Sequence, residues 1–326
     1  MKDWRYWLAE QRGTLIALAI FILMFTIYVS NHSAGLTANV VQTAANKGTL
    51  LALVAMAQTL VVITAGIDLS VGAVFVLTNC IASMVVTGNP LETALGVVFV
   101  LLVGALCGAI NGLVVIYGRL QPIVATIGTG AIYFGIALIL RPLPGGGVNE
   151  TLADAMTGKI FGLIPASLVM LLAIVLLVWL PFCSSVVGRA AYAAGSAETA
   201  AFMSGMPIKR GKFAAYTLGG LLAGIGGLFL TFFTYSGQAS SASASTYTLL
   251  SIAAVVLGGV SLFGGKGSAI GAIFGAFAFR AIGDLMFVFD FDALWQPLFQ
   301  GVILLLAVSI SAIGLWRVRN RLEWFG

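Results

Sequence analysis

Apolar runs of about 20 residues, each long enough to cross a bilayer, recur along almost the whole chain. Of its 326 residues, 60% are hydrophobic and only 8% are charged, against about 25% charged in a soluble domain. A soluble core cannot hide this much apolar surface, but lipid can. The fold class is therefore an all-α polytopic membrane protein. About ten spans are expected, at roughly 14–30, 46–65, 71–88, 93–117, 122–140, 163–182, 213–235, 249–263, 268–289 and 295–316. The first run, from Leu15 to Val29, reads as a retained helix: it is long enough to span and has no clear small-residue cleavage site after a short core. The longest polar stretch, around 183–212, is too short for a soluble domain. Residues 1–326 thus read as a single transmembrane domain, with 188–212 as a polar connection.

Charge reports orientation. An even number of spans puts both ends on one side. That side receives Lys2, Arg5, Arg12, Arg119, Arg189, Lys209, Arg210, Lys212, Lys266, Arg317, Arg319 and Arg321, twelve of the sixteen basic residues. The other side receives Glu92, Glu150, Asp154, Asp290 and Asp292. Basic loops stay in the cytoplasm, so both termini are expected there. The net charge of +5 is thus a topology signal and implies no nucleic-acid partner.

Several chemistries are excluded. Cys80, Cys107 and Cys183 lie far apart, and His32 is the only histidine, so there is neither a metal spacing nor a disulfide framework. Gly211-Lys212 is followed by Phe213, and Gly265-Lys266 by Gly267; neither is a phosphate-binding loop. The chain holds no nucleophile–histidine set. No catalytic residue, metal or cofactor is assigned to it, and ATP use in the P-loop manner is excluded.

Four groups of residues can carry work. The first is Gly66-Ile67-Asp68-Leu69-Ser70, a turn between two apolar segments. Gly66 can end one helix in a left-handed turn, and Asp68 or Ser70 can cap the next. A carboxylate near hydrocarbon needs a partner, so Asp68 has a capping role, a proton or cation role, or a structural role tied to motion. Second, Arg280 and Asp284 lie one helical turn apart and can form an ion pair; Arg280 can also snorkel or line a pore. Third, Gly195-Ser196-Ala197-Glu198-Thr199-Ala200-Ala201-Phe202-Met203-Ser204-Gly205 reads as a short helix, with Ser196 as N-cap and Glu198 in the first turn. It suits either docking onto a partner or lying on the membrane surface. Fourth, polar residues within spans can meet a hydroxylated solute or bond helices together: Gln58, Asn79, Asn111, Thr126, Ser251 and Gln296, with Thr59, Thr78, Thr129 and Gln300 beside them.

Glycines repeat every four residues at Gly104, Gly108 and Gly112 and at Gly267, Gly271 and Gly275, which points to close helix packing or, as a lesser reading, to a backbone-lined path. Gly259-Val260-Ser261-Leu262-Phe263 echoes the Gly66–Ser70 turn, a sign either of internal repetition or of shared apolar composition.

Together these segments resemble the ribose-type permeases of ABC importers for monosaccharides, within the branched-chain amino acid/ribose permease superfamily. The resemblance rests on Thr59 to Gly72, Asn111-Gly112, Pro122 to Gly128, the set Gly188, Ala193, Gly195, Ala200, Ala201, Ser204 and Gly205, and Ile252 to Gly265. Two departures stand out: Thr248-Leu249-Leu250 replaces the family's Glu-Leu-Asp, and Ala65 replaces a common glycine. The first means that the solute differs from common pentoses or that a partner supplies the missing groups. The resemblance implies half of a membrane dimer, formed with a second copy or a related permease in a bacterial inner membrane. A periplasmic sugar-binding protein would deliver the solute. Two cytoplasmic ATPase subunits, using ATP and Mg, would grip 195–205 as a coupling helix. The alternatives are an ABC permease for nucleosides or amino acids, and an ion-coupled secondary transporter using Asp68, Arg280 or Asp284.

Overall fold

The computed structural model describes residues 11–303, 305 and 309. The chain is mainly helical. In order come α1 (Arg12–Asn31), α2 (Ala38–Val62), α3 (Val71–Val85), α4 (Pro90–Ile116), α5 (Pro122–Leu140) and the short α6 (Glu150–Thr157). A small antiparallel hairpin follows, β1 (Lys159–Ile160) with β2 (Ile164–Pro165), Lys159 facing Pro165 and Ile160 facing Ile164. Then come α7 (Ala166–Ile174), a π-helical stretch Val175–Trp179, α8 (Leu180–Ser184), α9 (Val186–Met203), α10 (Ile208–Thr234), α11 (Ser241–Leu257) and α12 (Ala269–Val288). Pro181 brings no N–H and crowds the preceding turn, which accounts for the widened π-turn before it.

Among the described residues, seven helical segments are long and apolar enough to cross a membrane: α1, α2, α4, α5, Ala166–Ser184, α10 and α12. α3 and α11 are apolar but shorter. The chain is thus a polytopic helical membrane protein. Of the tenth expected span, 295–316, residues 296–303 are helical, and most of the remainder lies outside the described residues.

Two spans begin earlier than expected. α2 starts at Ala38 rather than near 46, because Thr37 caps it by accepting from Val40 N, and because its polar first turns face protein. Gln42 and Asn46 both donate to the Thr157 carbonyl at 2.8 Å. α11 starts at Ser241, where Ser240 Oγ accepts from Ser243 N, and stops at Gly258, before Gly259 turns into the left-handed region (φ +79°). The connection read as 188–212 is largely helix. α9 already begins at Val186, capped by Ser185, and α10 begins at Ile208.

α2 is the axis of the bundle. In its most apolar stretch 94% of residues are buried, against 11% in α1 and 33% in α4. α10 and α12 flank it. The glycine spacing in α4 is used for packing, since a Cβ at Gly108 would lie 2.2 Å from the Tyr216 carbonyl and one at Gly220 only 2.3 Å from the Gly104 carbonyl. α4 and α10 therefore touch backbone to backbone. α12 meets α11 the same way through Gly271 and Gly275. At one end of the bundle, Tyr235 donates to the Asp154 carboxylate, joining the end of α10 to α6; that anion raises the phenol's pKa above its ordinary value.

The expected Arg280–Asp284 pair does not form. Asp284 instead accepts from Lys47 Nζ of α2 at 3.0 Å. Because α2 packs along α12, the long lysine stem reaches Asp284 across the interface, and the acid is spent there.

Candidate functional site

The turn after α2 is built from a strained helix end. Ala65, not Gly66, carries the left-handed backbone (φ +62°). Its N–H donates to the Val62 carbonyl and that of Gly66 to the Val61 carbonyl, the paired bonds of a Schellman ending. Gly66 has a different constraint: a Cβ there would sit 2.9 Å from the Tyr216 hydroxyl.

Asp68 is buried and fully engaged in this turn. Its Oδ1 accepts from Ser70 N at 2.8 Å and Ser70 Oγ at 2.6 Å, while Oδ2 accepts from Asn111 Nδ2 at 3.4 Å. Ser70 sits at the N-cap position of α3 without a side-chain cap bond, so the carboxylate organises the turn rather than capping the helix in the expected way. Asn111 Nδ2 also donates to Ser70 Oγ at 2.7 Å, and its Oδ1 accepts from Tyr133 Oη at 3.2 Å. Thr126 Oγ1 accepts from Leu69 N at 2.9 Å. With its amide oriented to satisfy both groups, Gln58 donates to the Asp68 carbonyl at 2.9 Å and accepts the Asp68 N–H at 3.3 Å. Gln58, Asn111 and Thr126, expected on a solute path, thus converge here on one backbone break.

This arrangement predicts the outcome of Asp68→Asn. The new amide would turn a donor toward Asn111 Nδ2, and a buried donor without an acceptor costs about 1–3 kcal/mol. The amount of detergent-stable protein should fall while the solute competition profile stays unchanged. An altered profile at normal protein yield would refute this role.

The remaining expected path residues are dispersed. Asn79 ties α3 to the end of α10, donating to Thr231 Oγ1 at 2.9 Å and accepting from Gln238 N at 3.0 Å. Ser251 is buried and donates to the Thr248 carbonyl at 2.7 Å. Gln296 lines an open cleft of about 420 Å³ between α11, α12 and the 296–301 segment. α11 exposes Thr246 to that cleft and Ser241 and Ser245 away from it. A second cleft of about 420 Å³, lined by Ala73, Gly130, Phe134, Ser245 and Thr248, flanks the same helix on its other side.

The third place is the elbow in α9. Its backbone leaves helical geometry at Ala197 (φ −161°, ψ 85°), so two helices meet there. Ser196 is not an N-cap as expected; its hydroxyl donates back to the Tyr192 carbonyl at 3.0 Å. Glu198 pairs with Lys212 Nζ of α10 at 2.7 Å. Ala200, Phe202, Met203, Ser204 and Gly205 are exposed, whereas Ala201 is buried against Ala194 and Ile208. Gly195 lies where three segments meet: a Cβ there would be 2.1 Å from the Ile63 carbonyl and 2.5 Å from Gly265 N. Those two groups bond each other, Gly265 N donating to Ile63 O at 2.9 Å. The Gly66–Ser70 turn and its echo at 259–263 thus belong to breaks that touch, and the elbow rests on both. Tyr192 adds a further tie, donating to the Gly267 carbonyl at 2.7 Å.

Sequence reasoning missed Tyr133, Thr248 and Lys47. Thr248 joins α11 to α3 by accepting Gly72 N at 3.1 Å; its place in the Thr248-Leu249-Leu250 departure was the available signal. Tyr133 and Lys47 act across long sequence separations and left none.

Among the described residues no cluster of three or more His, Cys, Asp or Glu could hold a metal. Cys80, Cys107 and Cys183 are free thiols.

Comparison with known proteins agrees with this anatomy. Residues 40–308 match the model of the family described as "Branched-chain amino acid transport system / permease component". The ribose import permease protein RbsC of Bacillus subtilis is 33% identical over 302 residues, 90% of this chain and 91% of that protein. RbsC of Escherichia coli K12 is 30% identical over 313 residues, covering 94% of both. The fructose import permease protein FrcC of Rhizobium meliloti is 33% identical over 276 residues, 80% of this chain and 74% of that protein. No solved structure matches the chain. With the family model covering most of its length, the chain belongs to the branched-chain amino acid transport system permease family.

Proposed function

We propose that this chain is the membrane-spanning permease subunit of an ATP-driven ABC importer for a monosaccharide. The observation that carries the reading is the contact of the α9 elbow with two helix breaks through Gly195, Ile63 and Gly265. A force on the exposed end of the elbow reaches both breaks without an intervening side chain. The relatives named for ribose and fructose import support a sugar as solute.

In this reading the basic end of the bundle is cytoplasmic, both termini lie there, and ten helices cross a bacterial inner membrane. The two touching breaks are the centres of an internal repeat. Two ATPase subunits hold residues 195–205, chiefly by the exposed Glu198, Ala200, Phe202 and Ser204. ATP binding favours one arrangement of the elbows, and the breaks pass that preference to the bundle. A periplasmic sugar-binding protein feeds the opposite end. The exposed Ser241, Ser245 and Thr246 of α11 and the cleft with Gln296 line the path, completed by a second copy or a related permease. Gln58, Asn79, Asn111, Thr126 and Ser251 serve the path by holding its walls in register.

The test is co-reconstitution with the cognate ATPase and binding protein in liposomes. The full set should concentrate sugar when ATP is present, and the permease alone should concentrate nothing. Accumulation by the lone chain driven by an ion gradient would overturn the reading. Glu198→Arg should abolish ATPase docking and import. It should leave assembly intact, because Glu198 is 58% exposed and a pair open to water on one side contributes only about 0–1 kcal/mol.

A further inference from the structure

Among the described residues Arg280 is a cation with no hydrogen-bond or ion-pair partner. It is the twelfth of the twenty residues of α12, well inside the span. The acid one turn along, Asp284, is taken by Lys47. Among the described residues Arg280 makes no hydrogen bond or ion pair, and its Nε is buried without an acceptor. Such a charge at membrane depth must face water or an anion.

What it faces is the cleft of about 420 Å³ between α11, α12 and 296–301, a size typical of small-molecule sites. Thr246, Gln296 and Gln300 line the cleft with it, together with Leu249 and Leu250, and among the described residues no acidic side chain does. The donor set is specific in character. A guanidinium presents a planar fork that fits a carboxylate through two parallel N–H···O bonds. Two primary amides and a hydroxyl each both donate and accept, which suits vicinal hydroxyl groups. The leucines suit the C–H face of a small ring or chain.

Resting on the sugar-permease reading above, we propose that the solute carried by this chain is a sugar acid, a monosaccharide-sized polyol bearing one carboxylate, with Arg280 as the residue that recognises the charge. A neutral sugar satisfies the amides but leaves the guanidinium uncompensated.

The complete importer in proteoliposomes would be given radiolabelled D-glucuronate or D-gluconate, and separately D-glucose or D-ribose. The acids should accumulate in preference to the neutral sugars. Arg280→Gln should reduce acid uptake at least tenfold, and Arg280→Lys should recover part of it. Should Arg280→Gln fail to assemble, the purified wild-type permease should still be thermally stabilised by glucuronate and not by glucose; equal or absent stabilisation counts against the assignment. Import of neutral sugars alone overturns the sugar-acid inference and leaves the sugar-permease reading standing. Import of neither class sinks both.

Discussion

Gly195→Val is expected to stop import outright while ATPase subunits still bind. The valine Cβ would fall 2.1 Å from the Ile63 carbonyl, inside the space that backbone occupies. Neither neighbour can rotate away, because the Ile63 carbonyl and Gly265 N are bonded to each other at 2.9 Å. The elbow must lift from both breaks. Its outer end, with Phe202 72% and Met203 81% exposed, is unaffected and still offers a docking surface. The signature is ATP hydrolysis that no longer responds to solute, with transport at background and wild-type amounts of assembled complex. Import above one tenth of wild type would show that the elbow acts through some other contact.

Gly108→Leu is the second large effect, and it falls on assembly. Overpacking a well-filled interior costs about 1–3 kcal/mol, and more where backbone is the obstacle. At Gly108 the obstacle is the Tyr216 carbonyl at 2.2 Å, followed by Gly220 N at 2.9 Å, both in α10. No side chain is available to give way, so α4 must separate from α10 along much of their shared length. Folded protein extracted in mild detergent should drop to a small fraction of wild type. Leucine at Gly128 should be tolerated, since nothing lies within 4 Å of a Cβ there. Equal yields for the two variants would refute the backbone-contact account.

What could be read from the residues depended on range. Spans are local, so most of their positions were legible as apolar runs. The starts of α2 and α11 were not, because Asn39, Gln42 and the serines of 241–245 look like loop until their partners are known. Gly104 and Gly108 announced close packing by spacing alone, but not that α10 was the partner. The assignment of Asp284 to Arg280 followed the nearest neighbour in sequence; the true partner stands 237 residues away. Asp68 was legible as a residue needing partners, yet two of them, Asn111 and Gln58, come from two different helices, and Thr126 of a third holds the neighbouring Leu69 N–H. Ser196 had a capping residue's chemistry, but the chain at that point continues from an existing helix, so the hydroxyl turned back to Tyr192.

The Lys47–Asp284 pair has a bearing on how the polypeptide is made. α2 emerges from the ribosome early, carrying an ammonium and several amides that insert poorly by themselves. Its counter-ion is synthesised only with α12, 237 positions later. Until then the ammonium lacks the carboxylate that it meets in the folded bundle. Chains truncated before Asp284 should therefore give less folded protein in mild detergent than chains that run through the whole of α12.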